Sequence, residues 1–174
     1  MQNGNNDFSW DVIGDIALGR PNLGPATRLE VYRLMQFSLR SILENDLGSE
    51  AADQIFRRAG RLAGRAFAQR LLGPVNSLPE YVRNLQARLR EYGIGIMRME
   101  EADPEACRFV LTIEEDLDCS GLPEKDMEVC KFDEGFVAGL LEASTGREFR
   151  VTEVDCWCTG VRICRFVAEA VTPT

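Results

Sequence analysis

The spacing of apolar residues changes period once along this chain, near residue 94, and that change limits the possible folds more than any other feature. Before it, apolar residues recur every three to four positions, as on one face of a helix. Leu29, Tyr32, Met35, Leu39, Ile42 and Leu43 predict a helix ending at Leu47-Gly48, with Thr27 and Glu30 spaced as a capping box at its start. Ala52, Ile55, Phe56, Ala59, Leu62, Ala63, Ala66 and Phe67 predict a second helix from Ser49 to Leu72, ended by Gly73-Pro74. Gly60 and Gly64 give it a smooth surface where another helix can approach closely. Val82, Leu85 and Leu89 mark a third, shorter helix. After the change, Ile94, Ile96, Met97 and Met99, then Phe109, Leu111 and Ile113, alternate as in half-buried strands, with Asp103-Pro104 between them. Phe132, Phe136, Val137, Leu140 and Leu141 return to helical spacing, and Gly146 fits the C-cap. The segments FRVTEVDCW and VRICRFVAEAV close the chain as two strands, with Thr159-Gly160 as a hairpin turn. Helices, two strands, a helix and two strands predict an α+β domain with an antiparallel sheet packed against helices.

A chain of 174 residues fits one domain. Residues 1–26 are expected to form an irregular entry segment, punctuated by Gly14, Gly19, Pro21, Gly24 and Pro25. Met1 to Asn6 has neither a basic nor an apolar stretch, so it does not read as a signal peptide, and no apolar run is long enough for a membrane span. A cytoplasmic protein is expected. The net charge of −8 repels phosphate backbones and argues against a nucleic-acid partner. Arg57, Arg61 and Arg65 recur at i+4 and read as a solvated helix face, paired at most with acids of a partner subunit. The acidic run of Glu114, Glu115, Asp116 and Asp118 likewise reads as a solvated loop within Asp116 to Asp126.

The chain has no histidine, which excludes imidazole as base, shuttle or ligand. It has six cysteines, five of them from Cys119 to Cys164. In a reducing compartment such a group points to metal binding or redox chemistry rather than to disulfides. Cys130 precedes a helix, where free N–H groups and the helix dipole favour a thiolate, and Cys156, Cys158 and Cys164 flank the hairpin. Spacing alone assembles a tetrahedral zinc centre from Cys130, Cys156, Cys158 and Cys164. Cys119, in a Gly/Pro loop, reads equally as a ligand, a pocket thiol or neither. Cys107 reads as a buried apolar thiol on its strand.

Three segments, DLDCSGLP, VCKFDEGFVAGLLEASTGREF and EVDCWCTGVRICRF, resemble the 4-vinyl reductase domain. The FSWDVIGDI and GRPNLGP entry extends the likeness to stand-alone members of that family, and the same domain senses phenol and xylene in transcription regulators. The resemblance implies zinc held by a Cys before a helix, a Glu on the next strand, and two further Cys. These fall on Cys130, Glu153, Cys156 and Cys164, with Cys158 and Cys119 as alternates. Residues three apart on a regular strand face opposite ways, so pairing Glu153 with Cys156 requires a bulge near Val154-Asp155. Three thiolates and a carboxylate leave no open position, which makes the zinc structural. The resemblance further implies the fold of haem-NO-binding sensors and transport-particle subunits, a twisted antiparallel sheet with helices on one side, as a homodimer. The first long helices and the Gly60/Gly64 surface are then the natural dimer elements. Residues 27–174 become one ligand-binding domain, with its zinc-bearing third at 116–170.

No GxGxxG loop, P-loop or other redox-cofactor motif is present, so the vinyl-reductase name finds no hydride chemistry here. The expected function is a sensor that binds a small hydrophobic ligand near Phe132, Phe136, Leu140 and Trp157 and signals through an effector protein. A tetrapyrrole carrier, with the arginine stripe meeting propionates, and a dimeric interaction scaffold are the alternatives.

Overall fold

The computed structural model describes residues 8–73, 77–125 and 128–171, so the Met1–Asn6 arm, Pro74 and Asp126 lie outside the described residues. The entry segment holds a 3-10 turn (Trp10–Ile13) and a single helical turn, α1 (Ile16–Gly19), both without buried residues. Two long helices follow, α2 (Leu29–Leu47) and α3 (Ser49–Phe67), the latter extended by a π-helical turn through Leu72. Next come α4 (Leu78–Glu91), β1 (Ile96–Asp103), β2 (Arg108–Glu114), α5 (Lys131–Thr145), β3 (Phe149–Asp155) and β4 (Cys164–Ala170). The strands form one antiparallel sheet in the order β1-β2-β4-β3. Helix α4 packs on β1, α5 on β3 and β4, α3 on α5, and α2 on α3.

Three local expectations give way. The Thr27–Glu30 capping box does not form, because the helix opens one residue later and Arg28, at the cap position, pairs its guanidinium with Glu30. The β3–β4 connection is no two-residue hairpin turn: it holds a 3-10 turn, Trp157–Thr159, closed by Gly160 at φ 90°. Cys107 stands in the turn before β2 at φ 49°, and its sulfur takes a hydrogen bond from Arg147 Nη1 at 2.8 Å.

The two long helices use their apolar stripes differently from what periodicity suggests. Helix α5 is buried from Asp133 through Glu142, because the sheet covers one side and α3 the other. Contact with α3 is backbone to backbone. A Cβ added at Gly60 would lie 2.0 Å from the Phe132 carbonyl oxygen, and one at Gly64 2.1 Å from that of Phe136. In return, a Cβ at Gly135 would meet Arg57 O at 1.9 Å and one at Gly139 would meet Arg61 O at 2.3 Å. The Gly60/Gly64 surface is thus occupied within the chain, not by a second subunit. Arg57, Arg61 and Arg65 flank this seam and pair across it. Arg57 meets Glu134 at 2.5 Å, Arg65 meets Glu142 at 2.7 Å, and Arg61 reaches Glu142 and Glu148 at 3.5 and 3.2 Å. The stripe is therefore neutralised by the chain's own acids rather than being a solvated face. These acids also satisfy the free edge of β3, since Glu134 accepts the Glu153 N–H and Glu142 accepts the Phe149 N–H. Helix α2 turns its stripe outward: Val31, Leu34, Met35, Leu39 and Ile42 are exposed and Gln36 is its buried residue.

Gly64→Ala and Gly135→Ala are expected to destabilise the protein by about 3 kcal/mol or more, since no flexible atom can give way to the new methyl group. Gly19→Ala, which meets no atom within 4 Å, should be nearly silent. Urea titration of the three variants against the parent measures the difference.

Candidate metal centre and adjoining cavity

Four segments deliver sulfurs to one point. Cys130 is the N-cap of α5. Cys156 follows β3 directly, Cys164 opens β4, and Cys119 lies in the loop after β2. Asp116 turns that loop inward as an Asx-type turn, its Oδ1 accepting the N–H groups of Asp118 and Cys119 at 2.9 and 3.1 Å. The four thiols are fully buried, and their Sγ atoms lie within 4.8 Å of one another. Individual separations are 3.9 Å for Cys130–Cys156, 3.8 Å for Cys130–Cys164 and 3.1 Å for Cys119–Cys164. Zinc–thiolate bonds of about 2.3 Å in a tetrahedron put sulfurs about 3.8 Å apart, so the set fits a zinc ion.

The β3 strand carries the bulge that brings Glu153 and Cys156 to the same side, with its register shift between Glu153 and Asp155. Glu153 reaches the centre from the side. Its Oε2 accepts the Cys130 N–H at 3.1 Å, while its buried Oε1 has no partner among the described residues. Burial, then the charge of Cys156, pushes this carboxyl up to about 8. Cys158 is buried in the 3-10 turn but is not one of the four clustered sulfurs. Burial and the nearby Cys156 raise its thiol to about 11. Within the cluster the thiols of Cys119, Cys130 and Cys164 hold the Cys156 thiol far below the usual range, whereas hydrogen bonding to Cys119 raises that of Cys130. One sulfur of the set is thereby favoured as a thiolate, the form a metal requires.

Asp116 and Asp118 are not solvated: they are 2% and 3% exposed, and Asp133 of α5 is 5% exposed. Burial, then the charge of Asp118, raises Asp116 to about 7, and burial raises Asp118 and Asp133 as well. Tyr32 of α2 donates to Asp118 Oδ1 at 2.7 Å, and Arg33 donates to the carbonyls of Leu117 and Ser120. The sequence did hold a signal for the turn, in the Asp116-x-x-Cys119 spacing. The reach of Tyr32 and Arg33 across more than eighty residues was not readable.

A small apolar cavity lies between α4, α5, β1 and β2, walled by Tyr81, Leu85, Met97, Leu111, Phe136 and Leu140 among others. Its free volume is about 10 Å³, no more than one water occupies. Tyr81 spends its hydroxyl on the Leu140 carbonyl at 2.7 Å, so the wall offers no free polar group there. Ile113 joins this wall and is the register partner of Cys164, which links the cavity to the sulfurs through one strand pair. Of the four pocket residues expected, Phe136 and Leu140 line this cavity. Phe132 does not; it stacks on Phe136 at 6.4 Å. Trp157 lies elsewhere, donating to the Leu122 carbonyl and lying under Arg162. Among the described residues no helix is long and apolar enough to cross a membrane.

Residues 109–170 match the family model of the vinyl-4-reductase domain, a stretch that includes β2, Cys119 and the three other clustered cysteines. An uncharacterized protein of Methanocaldococcus jannaschii is 32% identical over 82 residues, 47% of this chain and 48% of that protein, so the chain spans about half that relative's length. Among solved structures, the phenol-responsive sensory domain of the transcription activator PoxR superposes with a TM-score of 0.68 at 18% identity, over 83% of this chain and 75% of that one. A vinyl-4-reductase family protein from M. jannaschii gives 0.61 at 16% identity, over 90% and 91%. A trafficking protein particle complex subunit 3 from Naegleria fowleri gives 0.65 at 9% identity, over 83% and 95%. An H-NOX protein from S. oneidensis is more distant, at 0.50 and 12% identity over 79% and 74%. At these identities the structural likeness is one of fold, and it is the fold that the sequence resemblance implied. Through residues 109–170 this chain carries a vinyl-4-reductase domain.

Proposed function

We propose that the protein is a zinc-stabilised sensor module that binds a small apolar or aromatic molecule and signals through a partner protein. The observation that carries this reading is the wholly apolar cavity, which shares a strand pair with a buried four-sulfur centre. Two proteins of the same fold support it through their ligands: the PoxR sensory domain was crystallised with phenol, and the trafficking subunit carries covalently bound palmitic acid. With room for about one water, the cavity admits such a ligand only as α4 parts from the sheet, which couples binding to a shape change. A tetrapyrrole fits less well, because the arginine stripe that would meet its propionates is already paired with Glu134, Glu142 and Glu148.

In this reading Cys119, Cys130, Cys156 and Cys164 hold the zinc, and Glu153 orients Cys130 through the backbone hydrogen bond it accepts. A closed thiolate set leaves no site for water or substrate, so the ion supplies stability rather than catalysis. The outward stripe of α2, with Leu34 and Ile42 at 71% and 58% exposure, is the face where a second copy of the chain docks. A homodimer built this way leaves the α3–α5 seam intact.

Elemental analysis of protein purified without a histidine tag is expected to give one zinc bound by the four sulfurs. Cys119→Ser should lose it and Glu153→Gln should keep it. The opposite pair of results would return Glu153 to the fourth position that the family resemblance assigns it.

Phenol or toluene at a hundredfold excess over Kd should stabilise the fold by about 2.7 kcal/mol. That is a rise in Tm of several degrees, and Leu140→Trp, which fills the cavity, should abolish it. No shift with any small aromatic probe would leave the cavity as ordinary core and remove the sensor reading.

Light scattering after size exclusion should give twice the chain mass for the parent and the chain mass for Met35→Asp/Ile42→Asp. A monomeric parent would assign the α2 face to another protein.

A further inference from the structure

Beside the four sulfurs the fold buries a second group of side chains whose charges nothing in the chain balances. Asp116 Oδ2, Asp118 Oδ2 and Asp133 Oδ2 are buried without a hydrogen-bond partner among the described residues. Gln36 is a separate and neutral witness. It is 8% exposed, its Oε1 is also buried and unpartnered, and its side chain adjoins Asp118. The four groups come from three elements: Gln36 from α2, Asp116 and Asp118 from the loop after β2, and Asp133 from the first turn of α5. A carboxylate oxygen of Asp116, one of Asp133 and the Cys130 sulfur lie within 4.8 Å of one another.

Cations that could offset these acids are engaged elsewhere. Arg33, the cation nearest Asp118, gives its Nε and Nη2 to the carbonyls of Leu117 and Ser120. Lys131 pairs with Glu134. A single divalent ion on four thiolates still leaves that centre with a net negative charge. Three more carboxylates against it, away from water, are costly unless each is protonated or coordinated. Four unpartnered oxygens converging from separate elements offer the donors of a coordination shell, and none is a donor to the others in the ionised state.

We infer that Asp116 and Asp133, completed by Asp118 and Gln36 and bordered by the Cys130 sulfur, form a second divalent-cation site adjoining the thiolate centre. Its ligands are mainly oxygen, so it takes an ion that favours carboxylates, of which Mn2+ is a convenient representative, while the soft thiolate set selects zinc. The two sites share the α5 N-terminus, so loading the oxygen site ties α2 and the Cys119 loop to that helix. The inference does not depend on a ligand entering the apolar cavity.

The two sites are read by different metals in one experiment. Zinc content by elemental analysis reports the thiolate set, and loss of the free Mn2+ signal in electron paramagnetic resonance reports the carboxylate set. With the zinc-loaded chain the expected result is one Mn2+ bound per chain. Asp133→Asn and Gln36→Leu should each lose or severely weaken it while zinc content and the far-ultraviolet dichroism stay as in the parent. The parent protein decides the matter even if a variant fails to fold: a full zinc complement with no Mn2+ bound would overturn the site and leave the carboxyls sharing protons. Mn2+ binding that survives both substitutions unchanged would overturn it too, by locating the ion on the surface.

Discussion

Backbone contact between α3 and α5 is the constraint on which the rest of the structure hangs. Four glycines, two on each helix, interleave so that every one faces a carbonyl oxygen of the other helix at a distance that no side chain allows. Ordinary helix pairs stand 8–10 Å apart, held off by their side chains, and removing those side chains brings the axes closer. Closeness here has two consequences. It lets α5 be buried on both sides, and it brings Arg57, Arg61 and Arg65 within reach of acids on α5 and at the start of β3. Their pairing allows Glu134 and Glu142 to lie inside the fold as carboxylates, where each also accepts a β3 N–H. A sheet edge that would otherwise be open is thereby closed by side chains of the helix beneath it.

The sulfur centre is a product of that arrangement. Cys130 stands at the α5 N-terminus, and the seam fixes where this terminus sits against the sheet. The bulge in β3 then places Glu153 against the Cys130 N–H and lets Cys156 turn inward, while the Ile113–Cys164 pairing sets the height of the last sulfur. Each thiol arrives from a different element, so no single segment can form the centre alone. A metal there stabilises the packing of β2, β3, β4 and α5 at once, which is how a structural ion contributes to folding.

The order of elements, three of the four sulfurs and the bulge near Val154 could be read from residue types, because they depend on local spacing. Long-range pairing could not. Gly60 and Gly64 announced a close helix contact, but the partner was legible only by noticing that Gly135 and Gly139 repeat the same spacing on the later helix. The i+4 arginines read as solvated because their acids lie about eighty residues away. Asp116 and Asp118 sat in an acidic run that resembles any surface loop, and only the approach of Tyr32 and Arg33 from α2 takes them out of water. Cys119 gained its place in the cluster through the same loop, by the Asp116 turn. The apolar positions of α2 were identified correctly, yet periodicity states only that a face is apolar, not which way it points.

That orientation gives α2 two roles. Its inner side holds the Cys119 loop by the Tyr32 hydroxyl and the Arg33 guanidinium, with Gln36 buried beside them. Its outer side presents Val31, Leu34, Met35, Leu39 and Ile42 to the surroundings. A helix is stiff over this length, so a displacement of the loop on one side is felt on the other without unfolding. The loop, in turn, follows β2, whose Leu111 and Ile113 wall the apolar cavity. Cavity, sulfur centre and exposed helix face are therefore joined by consecutive rigid contacts, and any molecule that changes the first has a short physical route to the last.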